Sequence, residues 1–293
     1  MRIAVTLIAG TAGPELPRLA AAVAAALAIE ADPVWLAPGE ACDLVFDALN
    51  PGAIAATARR VVGDTAVDIL VQPAAERRKR LLAADLESTI IENEMLDELG
   101  GILGIGPRIA EITRRAMNAE IDFVAALEAR VALLAGLDTS VIDQAAERIR
   151  LTPGARLLVR TMRRDGAATA LVTGGFTVFA DRIGAELGFG RVIANRLEIV
   201  DDRATGRVLL PIVTAETKQE TLLALAAEHS IPLTQTVAVG DGANDLPMLA
   251  AAGLGVAFRA KPAVAAVARW RLDHADLTGL LYAQGYRKEE FAA

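Results

Sequence analysis

The rhythm of apolar and polar positions changes near residue 80. Before it the pieces are short. Arg2 to Ala9 is apolar and β-branched and predicts a strand; Glu15 to Ala28 predicts an alanine-rich helix. Pro33 to Leu36 and Cys42 to Phe46 predict two short strands, Gly52 to Val62 a second helix, and Val67 to Val71 a fourth strand. That β-α-β-β-α-β order is the signature of a ferredoxin-like split unit, so residues 1–75 are expected to form a small α+β domain. The charged stretch from Glu76 to Arg80 then breaks the pattern and predicts a solvated linker over residues 76–80.

From Leu81 onward strands alternate with longer helices, which predicts an α/β class built on an open, parallel, Rossmann-like sheet over residues 81–293. Leu81 to Ala84 reads as a buried strand stopping at Asp85, followed by a helix over Ser88 to Gly101. Helical periodicity runs on from Pro107 through Arg150, so residues 92–151 predict a helical cap inserted after the first strand. A helix over Ala155 to Arg164 leads to a strand, Ala168 to Val172, that ends at Thr173-Gly174-Gly175. A helix follows from Thr177 to Leu187, then two β-rich pieces between Arg191 and Leu210. A helix over Lys218 to His229 and a strand over Thr236 to Val239 lead to Gly240-Asp241-Gly242. Ligands of open α/β sheets bind outside the carboxyl ends of the strands, so Asp85, Thr173-Gly174 and Asp241 should converge.

Composition narrows the chemistry. With 53% of its 293 residues hydrophobic and 23% charged, the chain can bury a sizeable core. Its longest apolar run, Leu19 to Ile29, falls short of the ~20 residues that cross a bilayer, so no membrane partner is expected. A formal net charge of −7 is the wrong sign for gripping phosphate backbones, which argues against nucleic acid. Cys42 is the only cysteine, and His229 and His274 are the only histidines. Neither a disulfide nor a Cys/His zinc site can be assembled, and all three are read as structural. Met1 to Gly10 is expected to be a strand rather than a secretory signal, and the cytoplasm is the expected location.

The strand ends offer carboxylates at Asp85, Glu87, Asp241 and Asp245, the amine of Lys218, and the hydroxyl of Thr173 beside Gly174. Clustered carboxylates repel unless a hard cation neutralises them, and an all-oxygen set suits magnesium, Mg2+. A carboxylate beside magnesium and a lysine can attack a phosphoryl group, because the cations offset its repulsion from the phosphate oxygens. Each piece alone is unremarkable, since Asp-x-Glu pairs commonly cap helices and Thr-Gly-Gly commonly turns. Their order along one chain carries the reading.

That order, Asp85-Leu86-Glu87-Ser88-Thr89, Thr173-Gly174-Gly175-Phe176, Lys218, and Gly240-Asp241-Gly242-Ala243-Asn244-Asp245, resembles the four motifs of the haloacid dehalogenase superfamily of phosphatases. Within it the resemblance is to the phosphoserine phosphatases. It runs from about Leu81 to Leu281 and includes Ala194 to Glu198 and, in the cap, Arg115-Ala116-Met117. The first domain resembles the ACT-like N-terminal region of bacterial members. The resemblance implies Mg2+-dependent hydrolysis of O-phospho-L-serine through an aspartyl-phosphate, the last step of serine biosynthesis.

It further implies Asp85 as nucleophile and metal ligand, and Glu87 as acid/base whose backbone carbonyl also ligates the metal. Asp241 would be the remaining protein ligand, with Asp245 in support. Lys218, Thr173, the Gly174 amide and Asn244 would hold the phosphate, Glu94 the substrate ammonium and Arg130 its carboxylate, with Met117 and Phe123 lining the cap. The chain departs from the family pattern at three places: Glu87 stands for the usual aspartate, Thr173 for serine, and Glu128 for an arginine. A phosphatase for another small phosphomonoester and a catalytically weak amino-acid sensor are the alternatives. Serine binding, homodimerisation and support of the fold all remain open as roles of the first domain.

Overall fold

The computed structural model describes every residue except Ala31, Asn118, Ala119 and Ala293, and only the backbone of Met117. The first strands are β1 (Arg2–Ala9), β2 (Val34–Ala37), β3 (Ala41–Asp47) and β4 (Val67–Pro73), paired antiparallel in the order β2-β3-β1-β4. Helices α1 (Glu15–Ala26) and α2 (Pro51–Val62) cover one face, where alternate β1 residues Ile3, Val5 and Leu7 pack with Leu16, Val23 and Ile54. The opposite face is buried too: Ile8 and Leu70 join a core that includes Leu272 and Tyr282 near the other end of the chain.

That burial explains where the charged stretch departs from expectation. Arg77 and Lys79 are not solvated; each is only 8% exposed. The Arg77 guanidinium forks onto both carboxylate oxygens of Asp43, at 2.7 and 3.2 Å, and also donates to the carbonyls of Tyr282 and Ala283. Lys79 donates to the carbonyls of Glu76 and Thr234. Nearby, Asp68 of β4 accepts main-chain N–H bonds from Asp273, His274 and Ala275, and Gln72 donates to the Ala283 carbonyl.

The second sheet comprises β5 (Leu81–Ala84), β6 (Ala168–Phe176), β7 (Arg191–Val200), β8 (Arg203–Leu209), β9 (Thr236–Gly240), β10 (Leu254–Phe258) and β11 (Trp270–Leu272). Its order is β11-β10-β9-β5-β6-β7-β8, parallel throughout except for the β7–β8 hairpin. Four helices follow β5: α3 (Met95–Leu103), α4 (Gly106–Met117), α5 (Phe123–Ala132) and α6 (Thr139–Ala146). A bridge between Ile91 and Leu151 closes the neck of this helical insertion. The chain then returns through α7 (Ala155–Arg164), and α8 (Thr177–Leu187) and α9 (Ala215–Glu228) complete the crossovers.

Two local differences from the sequence pattern matter to the site. The helix expected over Ser88 to Gly101 does not form as one piece, because Glu87 is extended and Ser88 sits at φ 55°. Residues 86–90 make a wide turn instead, and α3 begins only at Met95. Strand β6 runs past Val172 to Phe176 through a register break against β7, with Val172 opposite Ile193 and Phe176 opposite Asn195. Thr173, Gly174 and Gly175 form that bulge.

Candidate active site

The central strands β5 and β9 are fully buried apolar runs, and both deliver an aspartate at the carboxyl end. Asp85 follows β5 and Asp241 follows β9, each 5% exposed. Asp245 reaches the same place from the turn after β9; any side chain at Gly240 would overlap its carboxylate, so glycine is required there. One oxygen from each of Asp85, Asp241 and Asp245 lies within 4.8 Å of the other two.

Lys218 comes from the first turn of α9, which is started by a reciprocal capping box between Thr214 and Thr217. Its Nζ donates to Asp85 Oδ1 and to Asp245 Oδ1, both at 2.6 Å, with 1% of the lysine exposed. Burial pulls the Lys218 pKa down, but the two carboxylates outweigh it and hold the amine above its ordinary value. Burial and the Asp85 charge push Asp245 up to about 7, and burial raises Asp241 as well. Three carboxylates face one buried ammonium, and Asp241 and Asp245 rise despite it because burial and the Asp85 charge disfavour their ionised forms. Such an excess of hard, negative oxygen donors fits a divalent cation of the magnesium or calcium type.

Glu87 lies beside this cluster. Its Oε1 accepts the N–H of Met95 at 2.9 Å, so the longer side chain closes the first turn of α3. A Cβ on Gly175 would come within 3.1 Å of the Glu87 carboxyl, so the bulged glycine gives the acid its room. Burial, then repulsion from Glu94, push the Glu87 pKa up to about 8. Glu94 itself accepts from Ser88 Oγ at 2.9 Å, and burial raises it too. Arg130, from α5, has its pKa lowered by burial while feeling the charges of Glu87 and Glu94, which brings the cap cation to the acidic pair.

Thr173 is 1% exposed, and its Oγ1 accepts the N–H of Gly175 at 2.9 Å. The ring of Phe123 comes down from the cap to within 3.6 Å of where a Gly174 Cβ would sit. Asn244 stands in the Asp241–Asp245 turn, and its amide has no hydrogen-bond partner among the described residues. The Met117 side chain lies outside the described residues. One site neighbour escaped the sequence reading: Lys261, half-exposed on the loop after β10, puts Nζ 3.5 Å from Asp241 Oδ2. A single lysine in a loop gives no periodic or motif signal that could have found it.

The model of the haloacid dehalogenase-like hydrolases matches residues 82–250, a span containing Asp85, Thr173, Lys218 and Asp241. The chain belongs to that family. It is 48% identical over 229 residues to a phosphoserine phosphatase of Streptomyces coelicolor, covering 78% of this chain and 56% of the relative. It is 45% identical over 199 residues to a phosphoserine phosphatase of Streptococcus thermophilus, covering 68% of this chain and 93% of that one. The solved structure of a probable phosphoserine phosphatase from Vibrio cholerae superposes with a TM-score of 0.80 at 31% identity, covering 98% of this chain and 88% of that one. The chain spans 56% to 65% of the length of the first curated relatives it matches. Family membership and the acidic cluster mark a metal-dependent type of site, and among the described residues no helix is long and apolar enough to cross a membrane.

Proposed function

We propose that this protein is a cytoplasmic phosphoserine phosphatase that hydrolyses O-phospho-L-serine to serine and phosphate with Mg2+. The observation that carries the reading is Asp85, held by Lys218 at 2.6 Å within a buried three-carboxylate cluster at the carboxyl end of β5. The substrate is that of the similar phosphoserine phosphatases of Streptomyces coelicolor and Streptococcus thermophilus. Asp85, Asp241 and the Glu87 carbonyl would hold the metal, with Asp245 close enough to assist. When bound, magnesium supplies positive charge that offsets repulsion between carboxylate and phosphate.

The chain's own residues divide the remaining work. Asp85 attacks phosphorus, the bond to the serine oxygen breaks, and Glu87 gives that oxygen its proton. Its raised pKa keeps Glu87 protonated near neutrality, as an acid must be. Glu87, now a carboxylate, then takes a proton from the water that cleaves the aspartyl-phosphate, which restores Asp85. Lys218, Thr173, the Gly174 amide and Asn244 hold the phosphoryl oxygens. Glu94 pairs with the substrate ammonium and Arg130 with its carboxylate, while Phe123 closes apolar surface over the site.

The test is phosphate release from O-phospho-L-serine beside O-phosphothreonine, phosphohomoserine and an aryl phosphate, each with and without EDTA. Selective release from phosphoserine, abolished by EDTA and restored by Mg2+, is the expected result. Release only from the aryl phosphate would discard the serine assignment, and no release from any would favour an amino-acid sensor.

A further inference from the structure

The bulge in β6 leaves the peptide between Gly174 and Gly175 outside the β6–β7 register, and two side chains fix its plane. Its N–H donates to Thr173 Oγ1 at 2.9 Å, and its carbonyl accepts from Asn195 Nδ2 at 2.7 Å. Asn195 is fully buried on β7, and its other amide end is also engaged: Oδ1 accepts the N–H of Val213 at 2.8 Å. Val213 immediately precedes Thr214, the N-cap of the helix that carries Lys218. One amide therefore ties the Thr173-Gly174 bulge to the start of α9.

The consequence lies in the direction of the Thr173 proton. A hydroxyl has one donor, and because Thr173 Oγ1 is already accepting from Gly175, its own O–H must point elsewhere. Among the described residues nothing accepts that proton. A buried donor without an acceptor is costly unless a ligand supplies one. If the 174–175 peptide turned over, a carbonyl would face Thr173 and draw that proton inward.

We propose that Asn195 is a positioning residue that, by pinning this peptide, sets Thr173 as a hydrogen-bond donor to a phosphoryl oxygen and keeps the bulge in register with Lys218. The proposal rests on reading Thr173 and Gly174 as the phosphate contacts. Asn195 touches no substrate; it acts through Thr173.

The test is a double-mutant cycle between Asn195→Asp and Thr173→Val. It is read as kcat on p-nitrophenyl phosphate and as Kd for inorganic phosphate with Mg2+, with thermal melting alongside. N195D keeps the acceptor for Val213 and loses the donor to Gly174. We expect N195D to lower kcat and weaken phosphate binding on the order of 10²-fold, the scale of losing one oriented donor. In the T173V background N195D should cost less than about 3-fold, because the donor it orients is already gone. A purely structural role would multiply the two losses, and that result overturns the proposal, as does an N195D protein that binds phosphate like the wild type.

Should N195D fail to fold, Asn195→Ser, which buries no charge, carries the same cycle. Amide exchange gives a check in the wild type: Gly175 N–H should exchange slowly and lose that protection in T173V, and fast exchange in the wild type refutes the arrangement. Turnover of p-nitrophenyl phosphate without turnover of phosphoserine would sink only the substrate assignment and leave this cycle readable.

Discussion

On the sheet side of the crevice, Asp85, Lys218 and Asp245 are almost wholly buried and joined by charged hydrogen bonds of 2.6 Å. On the cap side, Glu94 and Arg130 are half-buried, Phe123 is 39% exposed, and Glu94 is held by a single serine hydroxyl. The floor depends on an internal charge balance, so a change of charge there disturbs folding and chemistry together. On the proposed function the cap contributes side chains whose partners belong to the substrate, so changes there should be felt in binding and hardly in stability.

The sharpest way to test this contrast is to remove charge from the floor. Asp85→Asn keeps the shape and withdraws the proposed nucleophile, and turnover should fall on the order of 10⁴-fold or more. A phosphate-release assay on freshly purified variant checks this, and a rate near wild type would end the assignment. Lys218→Met leaves Asp85 and Asp245 buried beside each other without their shared cation. Stripping one partner from a buried ion pair costs about 3–5 kcal/mol, so this variant should also unfold at clearly lower denaturant concentration. A wild-type melt in K218M would break the picture of a charge-balanced floor.

Gly175→Ala probes the floor without touching charge. The new methyl would sit 3.1 Å from the Glu87 carboxyl, and a displaced acid should lower kcat roughly 10²-fold with little change in melting. On the cap, Arg130→Ala should raise KM for phosphoserine roughly 10- to 100-fold, the worth of a charge-assisted hydrogen bond, while kcat stays within a few-fold. If melting fell instead, the cap would be as structural as the floor.

The smallest expected effect is a displacement in pH. Burial is the main reason Glu87 holds its proton, and the Glu94 charge is the next. Neutralising that neighbour with Glu94→Gln lowers the Glu87 pKa, so the acid loses its proton sooner as pH rises. The alkaline limb of kcat against pH should therefore move to lower pH. A shift to higher pH would contradict the like-charge coupling.

Much of the frame is legible in the sequence because burial is periodic. Leu81 to Ala84, Ala155 to Arg164 and Thr177 to Leu187 are read at the bounds the structure shows, since each is a clean strand or helix pattern between breaking residues. The turn at Glu87 and Ser88 is not legible. Its acidic and apolar spacing fits a helix, and only the φ of 55° at Ser88 and the Glu87 bond to Met95 reveal the break. Burial of Arg77 is hidden for a related reason, because its partner Asp43 lies 34 residues away and charge in a sequence reads as solvent exposure. Asp85, Asp241 and Lys218 stand out as candidates because two of them end apolar strands and the third opens a helix. Asp245 is named with them because it follows Asp241 by four residues; that Asn195 grips both the bulge and Val213 depends on side-chain reach that no spacing rule encodes.

The buried grip of Asp68 and Gln72 on residues 273–283 has a consequence for severed chains. These contacts link the start of the chain to its end without using the connecting backbone. A protease nick near Ala75 would therefore yield two fragments that travel together through a sizing column. They would part only when denaturant reached the interface they share.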